Sequence, residues 1–165
     1  MKLKIINAEI ELKEMGGPLT YQAIREIALT GVRMGRAIRP TIALFYWDTT
    51  GYLVHPDPKT WNAGSAVRAV IMSGLGKTIK DMRQRPPDEV TMVSEVWYVS
   101  REGKVEQPVA PSREPDRRSG VLVMRSDVRG RVYGTLIDYD TMKEIELSPL
   151  MVKSPIIDAF WEAWR

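Results

Sequence analysis

The run Val90-Thr91-Met92-Val93-Ser94-Glu95-Val96-Trp97-Tyr98-Val99 sets a carboxylate inside an apolar strand, where Thr91, Val93, Trp97 and Val99 share its face. A carboxylate buried among such neighbours needs a partner or a proton, because an unpaired interior charge is strongly unfavourable. Three arginines could supply it. Arg117 and Arg118 close the proline-rich stretch Pro108, Pro111-Ser112, Pro115-Asp116-Arg117-Arg118, and Arg125 follows Val121 and Val123 on a later strand. Glu95, Trp97, Arg117, Arg118 and Arg125 are therefore expected to form a structural clasp through bidentate hydrogen bonds, with a catalytic carboxylate at Glu95 as the alternative. His55 is the only histidine. Any imidazole acid–base chemistry must use it, with Asp48 or Asp57 to orient the ring, although a histidine beside Pro56 also fits a plain turn.

Other residue sets carry weaker chemistry. Ile71-Met72-Ser73-Gly74-Leu75-Gly76-Lys77-Thr78 ends like a phosphate-cradling loop, in which glycine N–H groups hold phosphates, Lys77 would reach them and Thr78 would hold Mg²⁺; Gly134 to Asp138 would be its acidic downstream strand. Ile71 stands where the first glycine belongs, and the apolar residues run through the motif at helical period, which predicts a core helix instead. Asp88 with Glu102-Gly103-Lys104 has the residue types of a metal-dependent nuclease, carboxylates for Mg²⁺ and a lysine to place the water, but the latter three read as an exposed turn. Asp138, Asp140, Glu144 and Glu146 could gather around a hard cation, or simply rim a hairpin. Arg33, Arg36 and Arg39 with Lys80 and Arg83 could jointly offer a basic surface to nucleic-acid phosphates. No aromatic residues interleave with them, so no single-strand stacking platform is expected.

The composition bounds these readings. A chain of 165 residues, 44% hydrophobic and 27% charged, suits one globular domain with a real core. It has no cysteine, which removes thiolate zinc sites, disulfides and cysteine nucleophiles, and its single histidine removes His-rich metal centres. No cofactor is expected, with Mg²⁺ reserved for the nuclease and nucleotide readings. No stretch approaches the roughly 20 apolar residues of a membrane span, so a cytoplasmic protein without a membrane partner is expected. The net charge of +3 is unevenly spread, the segment 1–86 being basic and 87–165 mildly acidic.

Alternation of apolar and charged residues predicts a strand over 2–13, and helical spacing after a Thr20 cap predicts a helix towards Gly31 and Gly35. Thr41–Trp47 and Tyr52–His55 read as strands about a turn at 48–51. Asp57-Pro58 reads as a cap and first turn of a helix running to about Arg83. A loop over 101–119 then separates the Glu95 strand from a hairpin, Val121–Ser126 and Arg131–Asp138, followed by a strand over 143–147 and a helix from Ser154-Pro155 with an aromatic stripe of Phe160, Trp161 and Trp164. These elements predict one α+β domain, with a mixed or mainly antiparallel sheet, two longer helices and a C-terminal helix.

The order Ser94-Glu95-x-Trp97, Pro111-Ser112-x-x-Pro115-Asp116-Arg117-Arg118 and an apolar strand from Val121 resembles a group of small uncharacterised proteins of bacteria and their phages. That group carries an acidic residue after the Asp-Arg-Arg run, where this chain has Ser119-Gly120. The resemblance implies that Glu95, Trp97 and the loop act together, and it implies no activity. The expected function is that of a non-enzymatic accessory protein, of a mobile element or phage, which binds a macromolecular partner through the 101–119 loop, since long loops in compact domains are usually functional or disordered. A nucleic-acid-binding protein or metal-dependent nuclease is the first alternative, and a small nucleotide-binding enzyme using Lys77 and Thr78 is the second.

Overall fold

The computed structural model describes residues 2–5, 8–16, 20–47, 50–101, 104–106, 115–147 and 154–165. Among the described residues, nine strands and four helices follow one another: β1 (Lys2–Ile5), β2 (Ala8–Gly16), α1 (Tyr21–Arg33), β3 (Thr41–Phe45), β4 (Thr50–Pro56), α2 (Pro58–Trp61), α3 (Ser65–Arg83), β5 (Glu89–Arg101), β6 (Lys104–Glu106), β7 (Arg118–Asp127), β8 (Val132–Asp138), β9 (Glu144–Leu147) and α4 (Pro155–Trp161), closed by a 3-10 turn at Glu162–Trp164. Eight strands form one antiparallel sheet in the order β1-β2-β4-β3-β5-β7-β8-β9, and β6 folds back on the end of β5. The chain is a single α+β domain, as its pattern predicts.

Strand periodicity divides the sheet into two faces. Ile10, Leu12, Ile42, Leu44, Val54, Val90, Met92 and Met124 pack under α3 and α4 with Trp61, Ile71, Met72, Leu75, Ile79, Phe160 and Trp161. Ala43, Val93, Val121, Val123 and Ile137 pack under α1 through Tyr21, Ile24, Ala28, Leu29 and Val32. Two buried indoles tie helices to the first of these faces, Trp61 Nε1 donating to Ser94 Oγ at 3.0 Å and Trp161 Nε1 to Ser126 Oγ at 2.9 Å. Each satisfies a buried N–H that would otherwise be costly.

The helices start where the sequence caps them. Thr20, Asp57 and Ser154 accept from the backbone N–H of Ala23, Thr60 and Ile157. The helix expected from Pro58 to Arg83 is two helices, because the chain turns at Asn62 and Ala63 and Gly64 takes φ +140°, a conformation that L side chains rarely adopt. The strand expected over 2–13 is likewise two, paired antiparallel with Leu3 opposite Ile10 and Ile5 opposite Ala8. The expected 101–119 loop is shorter: β5 continues to Arg101, β6 returns over 104–106, and β7 begins at Arg118 rather than Val121. Residues 107–114 of that segment lie outside the described residues, as do Asp48, Glu102 and Gly103.

Candidate functional site

The carboxylate held inside the fold is Asp138, not Glu95. Asp138 ends β8 on the α3 face and is 1% exposed. Tyr98 of β5 donates its hydroxyl to Oδ2, Arg118 gives Nε to Oδ2 at 2.8 Å and Nη2 to Oδ1 at 3.3 Å, and Oδ1 also accepts the backbone N–H groups of Asp140 and Thr141 at 2.9 Å each and the Thr141 hydroxyl at 3.1 Å. Burial opposes ionisation, but these bonds outweigh it and hold the carboxyl well below the usual carboxylate range. For Tyr98, burial and then the bond to Asp138 push the phenol up to about 12. A clasp of the kind expected at Glu95 forms instead at the end of β8, two strands from β5, with Arg118 paired to Asp138.

Glu95 is exposed because it leaves the covered part of the sheet. Val93, the last β5 residue paired with β3, lies opposite Thr41, so Glu95 and Trp97 stand beyond the start of β3 on the α1 face. Glu95 Oε1 accepts the Tyr139 hydroxyl at 2.7 Å, and no arginine of the predicted clasp pairs with it. Burial, then the bond to Glu95, raises the Tyr139 phenol above its ordinary range. Arg125 faces the same side, but its register partner is Thr91, four residues from Glu95 or about 13 Å along a strand. Its guanidinium lies over Tyr133 at 4.7 Å and Tyr21 at 5.3 Å instead. Arg117 lies over the Trp97 ring at 4.9 Å.

Glu95 and Trp97 border a cleft of about 350 Å³, shared with Asn62, Arg68, Ser119 and Tyr139. Trp97 is 47% exposed, and a second hollow, lined by Arg39, Pro58 and Asn62, also reaches Glu95. The resemblance had paired Glu95, Trp97 and the arginine stretch, and Arg117 does stand with them. Asn62, Arg68 and Tyr139 carried no signal in the sequence, since they arrive from two helices and a strand end that only the sheet order brings to β5.

The remaining candidates are dispersed. Lys77 and Thr78 lie in the middle of α3, where the backbone N–H groups are spent on the helix and Thr78 Oγ1 donates to the Gly74 carbonyl at 2.9 Å, so no phosphate cradle forms. Asp88 immediately precedes β5, and its proposed metal partner Glu102 lies outside the described residues. Arg33, Arg36 and Arg39 belong to the α1 side of the sheet, whereas Lys80 and Arg83 belong to α3 on the other, so they make no joint surface. Lys80 Nζ donates to the Ala163 carbonyl at 2.8 Å, and Arg83 lies over Tyr46 at 4.4 Å. His55 is half-buried on β4 with Nδ1 3.3 Å from Thr41 Oγ1; burial, then nearby Arg39, lowers its pKa and leaves the ring neutral at pH 7. Asp57, one of its proposed orienters, caps α2 instead. The lone pairs of Asp138 are taken up by protein donors, Asp140 is exposed, and no three His, Asp or Glu side chains gather as a metal-binding group among the described residues. None of the described helices is long and apolar enough to cross a membrane. The chain matches no family model, no curated protein and no solved structure.

Proposed function

We propose that the protein acts by binding a macromolecular partner, which it holds at the cleft around Glu95 and Trp97. The observation that carries this reading is the placement of a half-exposed indole beside an exposed carboxylate on a rigid strand, next to the chain segment that enters β7 at Arg118. Large aromatic surface is costly to leave in water, and exposed aromatics with charged neighbours are the commonest anchors of binding surfaces. Tyr139 fixes the carboxylate and Arg117 covers part of the ring, so the surface is ordered before a partner arrives.

The test is site-directed photo-crosslinking in the native host, with the probe at Ser119 on the cleft rim and a control probe at the exposed Val128 of the β7–β8 hairpin. A discrete adduct is expected at 119 and not at 128, and Trp97→Ala should abolish it. Equal adducts at both positions, or none at 119, would overturn the reading.

A further inference from the structure

Among the described residues, Arg68 is a guanidinium without an acid. Its Nε donates to the Trp61 carbonyl at 2.8 Å, its Nη2 to Asn62 Oδ1 at 3.3 Å, and the group lies 5.3 Å from the Trp61 ring centre. These contacts fix its position, yet no carboxylate comes within ion-pair distance of it and its Nη1 has no hydrogen-bond partner among the described residues. Burial disfavours its charge, lowering its pKa from the ordinary arginine value. An anion beside it would compensate that cost.

The same cleft holds Glu95, whose Oε2 accepts no hydrogen bond among the described residues, and the Trp97 ring. An occupant must therefore satisfy a carboxylate acceptor, an indole face and a fixed cation. A lysine or arginine side chain suits Glu95 and the indole but is repelled by Arg68 and by the Arg117 guanidinium over Trp97. A phosphopeptide suits Arg68 but sets its charge against Glu95. A planar ring with neighbouring N–H donors on one edge and a phosphate at the other end suits all three. Among the nucleobases, guanine alone presents two adjacent donors, N1–H and the 2-amino group, on its pairing edge, and two parallel N–H···O bonds are what a carboxylate accepts best.

We infer that the cleft binds a guanine nucleotide, with the base against Trp97, its N1–H and 2-amino group on Glu95, and a phosphate on Arg68. The inference rests on the reading of this cleft as a binding site. The guanine belongs either to a single-stranded nucleic acid, whose bases are free to stack on aromatic side chains, or to a free nucleotide.

Calorimetric titration of the full chain tests it, using guanosine, GMP and GDP, AMP and ADP, and short single-stranded RNAs with and without guanine. Guanine ligands should bind at least about tenfold more tightly than their adenine counterparts, the discrimination a well-made base-edge contact supplies. Glu95→Gln should erase that preference, Trp97→Ala should weaken every ligand, and Arg68→Gln should weaken GMP while sparing guanosine. Glu95 and Trp97 are exposed, so their variants should melt with the native protein; the melting curve of Arg68→Gln shows whether its loss is local. Binding of RNA but not of mononucleotides identifies the single strand as the source, and mononucleotides alone identify the free nucleotide, which removes the macromolecular reading but keeps the site. No guanine binding, or a preference that Glu95→Gln leaves intact, overturns the inference; a protein adduct at 119 in that case still upholds the binding reading.

Discussion

Asp138 and Glu95 show how position on a strand decides the fate of a carboxylate. Asp138 accepts six hydrogen bonds, so its ionised form is stabilised in the fold far more than in the unfolded chain. Because its folded pKa is depressed, the stability it contributes is fully present above the unfolded value of about 4 and is lost as the pH falls below that value. Asp138→Asn should cost about 3 kcal/mol at pH 7, as when one partner of a buried pair is removed, and should flatten the acid limb of the stability curve; urea unfolding from pH 7 to pH 2 reads both. Glu95→Gln should change stability by less than about 0.5 kcal/mol in the same assay, since the side chain is exposed and its amide oxygen can still accept the Tyr139 hydroxyl. Read from the sequence, Glu95 looked buried because the apolar alternation of β5 continues past it. The burial of a strand residue depends on what crosses over it, and the helix above that face ends before Glu95 is reached.

At the scale of elements, the glycines of α3 answer the question that their spacing raises. Gly76 lies against the Phe160 carbonyl, where an added Cβ would collide with backbone, and Gly74 lies against Ile5. They let α4 and β1 approach the helix, so a pattern that resembles a phosphate loop is a packing surface. Gly76→Ala should lower stability by about 1 to 3 kcal/mol, the range for overpacking, despite the better helix propensity of alanine; the thermal midpoint checks it. The helix caps, the apolar stripes and the β7–β8 hairpin were legible because each depends on residues within a few positions. The β1–β2 hairpin was legible too, though missed: Leu3 and Ile5 are apolar at odd positions and Ala8, Ile10 and Leu12 at even ones, a change of phase that a single strand does not allow. The neighbours of Glu95 were not, since they depend on the pairing of β5 with β7, whose partners are distant in the chain, and on β7 in turn carrying β8 and Tyr139 to its side.

At the scale of the whole molecule, the sheet order puts β3, β5 and β7 at the centre with helices over both faces and leaves β1 and β9 outermost. Amide hydrogen exchange should therefore be slowest in β5 and β7, whose pairing spans ten residues, and fastest in β1 and β9. Uniform protection across the sheet would show that it opens only as a unit. The connection from β2 through α1 to β3 and β4 means that the first hairpin pairs with β4 only after the chain has crossed one face. The pairings β2–β4, β3–β5 and β5–β7 join segments distant in the chain, and refolding should take milliseconds to seconds rather than microseconds, which stopped-flow fluorescence of the five tryptophans would measure.

The bonds from Arg118 to Asp138 have a mechanical consequence. A partner that engages the segment before β7 hangs its load on the first residue of that strand, and the guanidinium passes it directly to the end of β8, while the Tyr98 hydroxyl carries it on to β5. Tension that would peel one strand from the sheet is thereby shared by three.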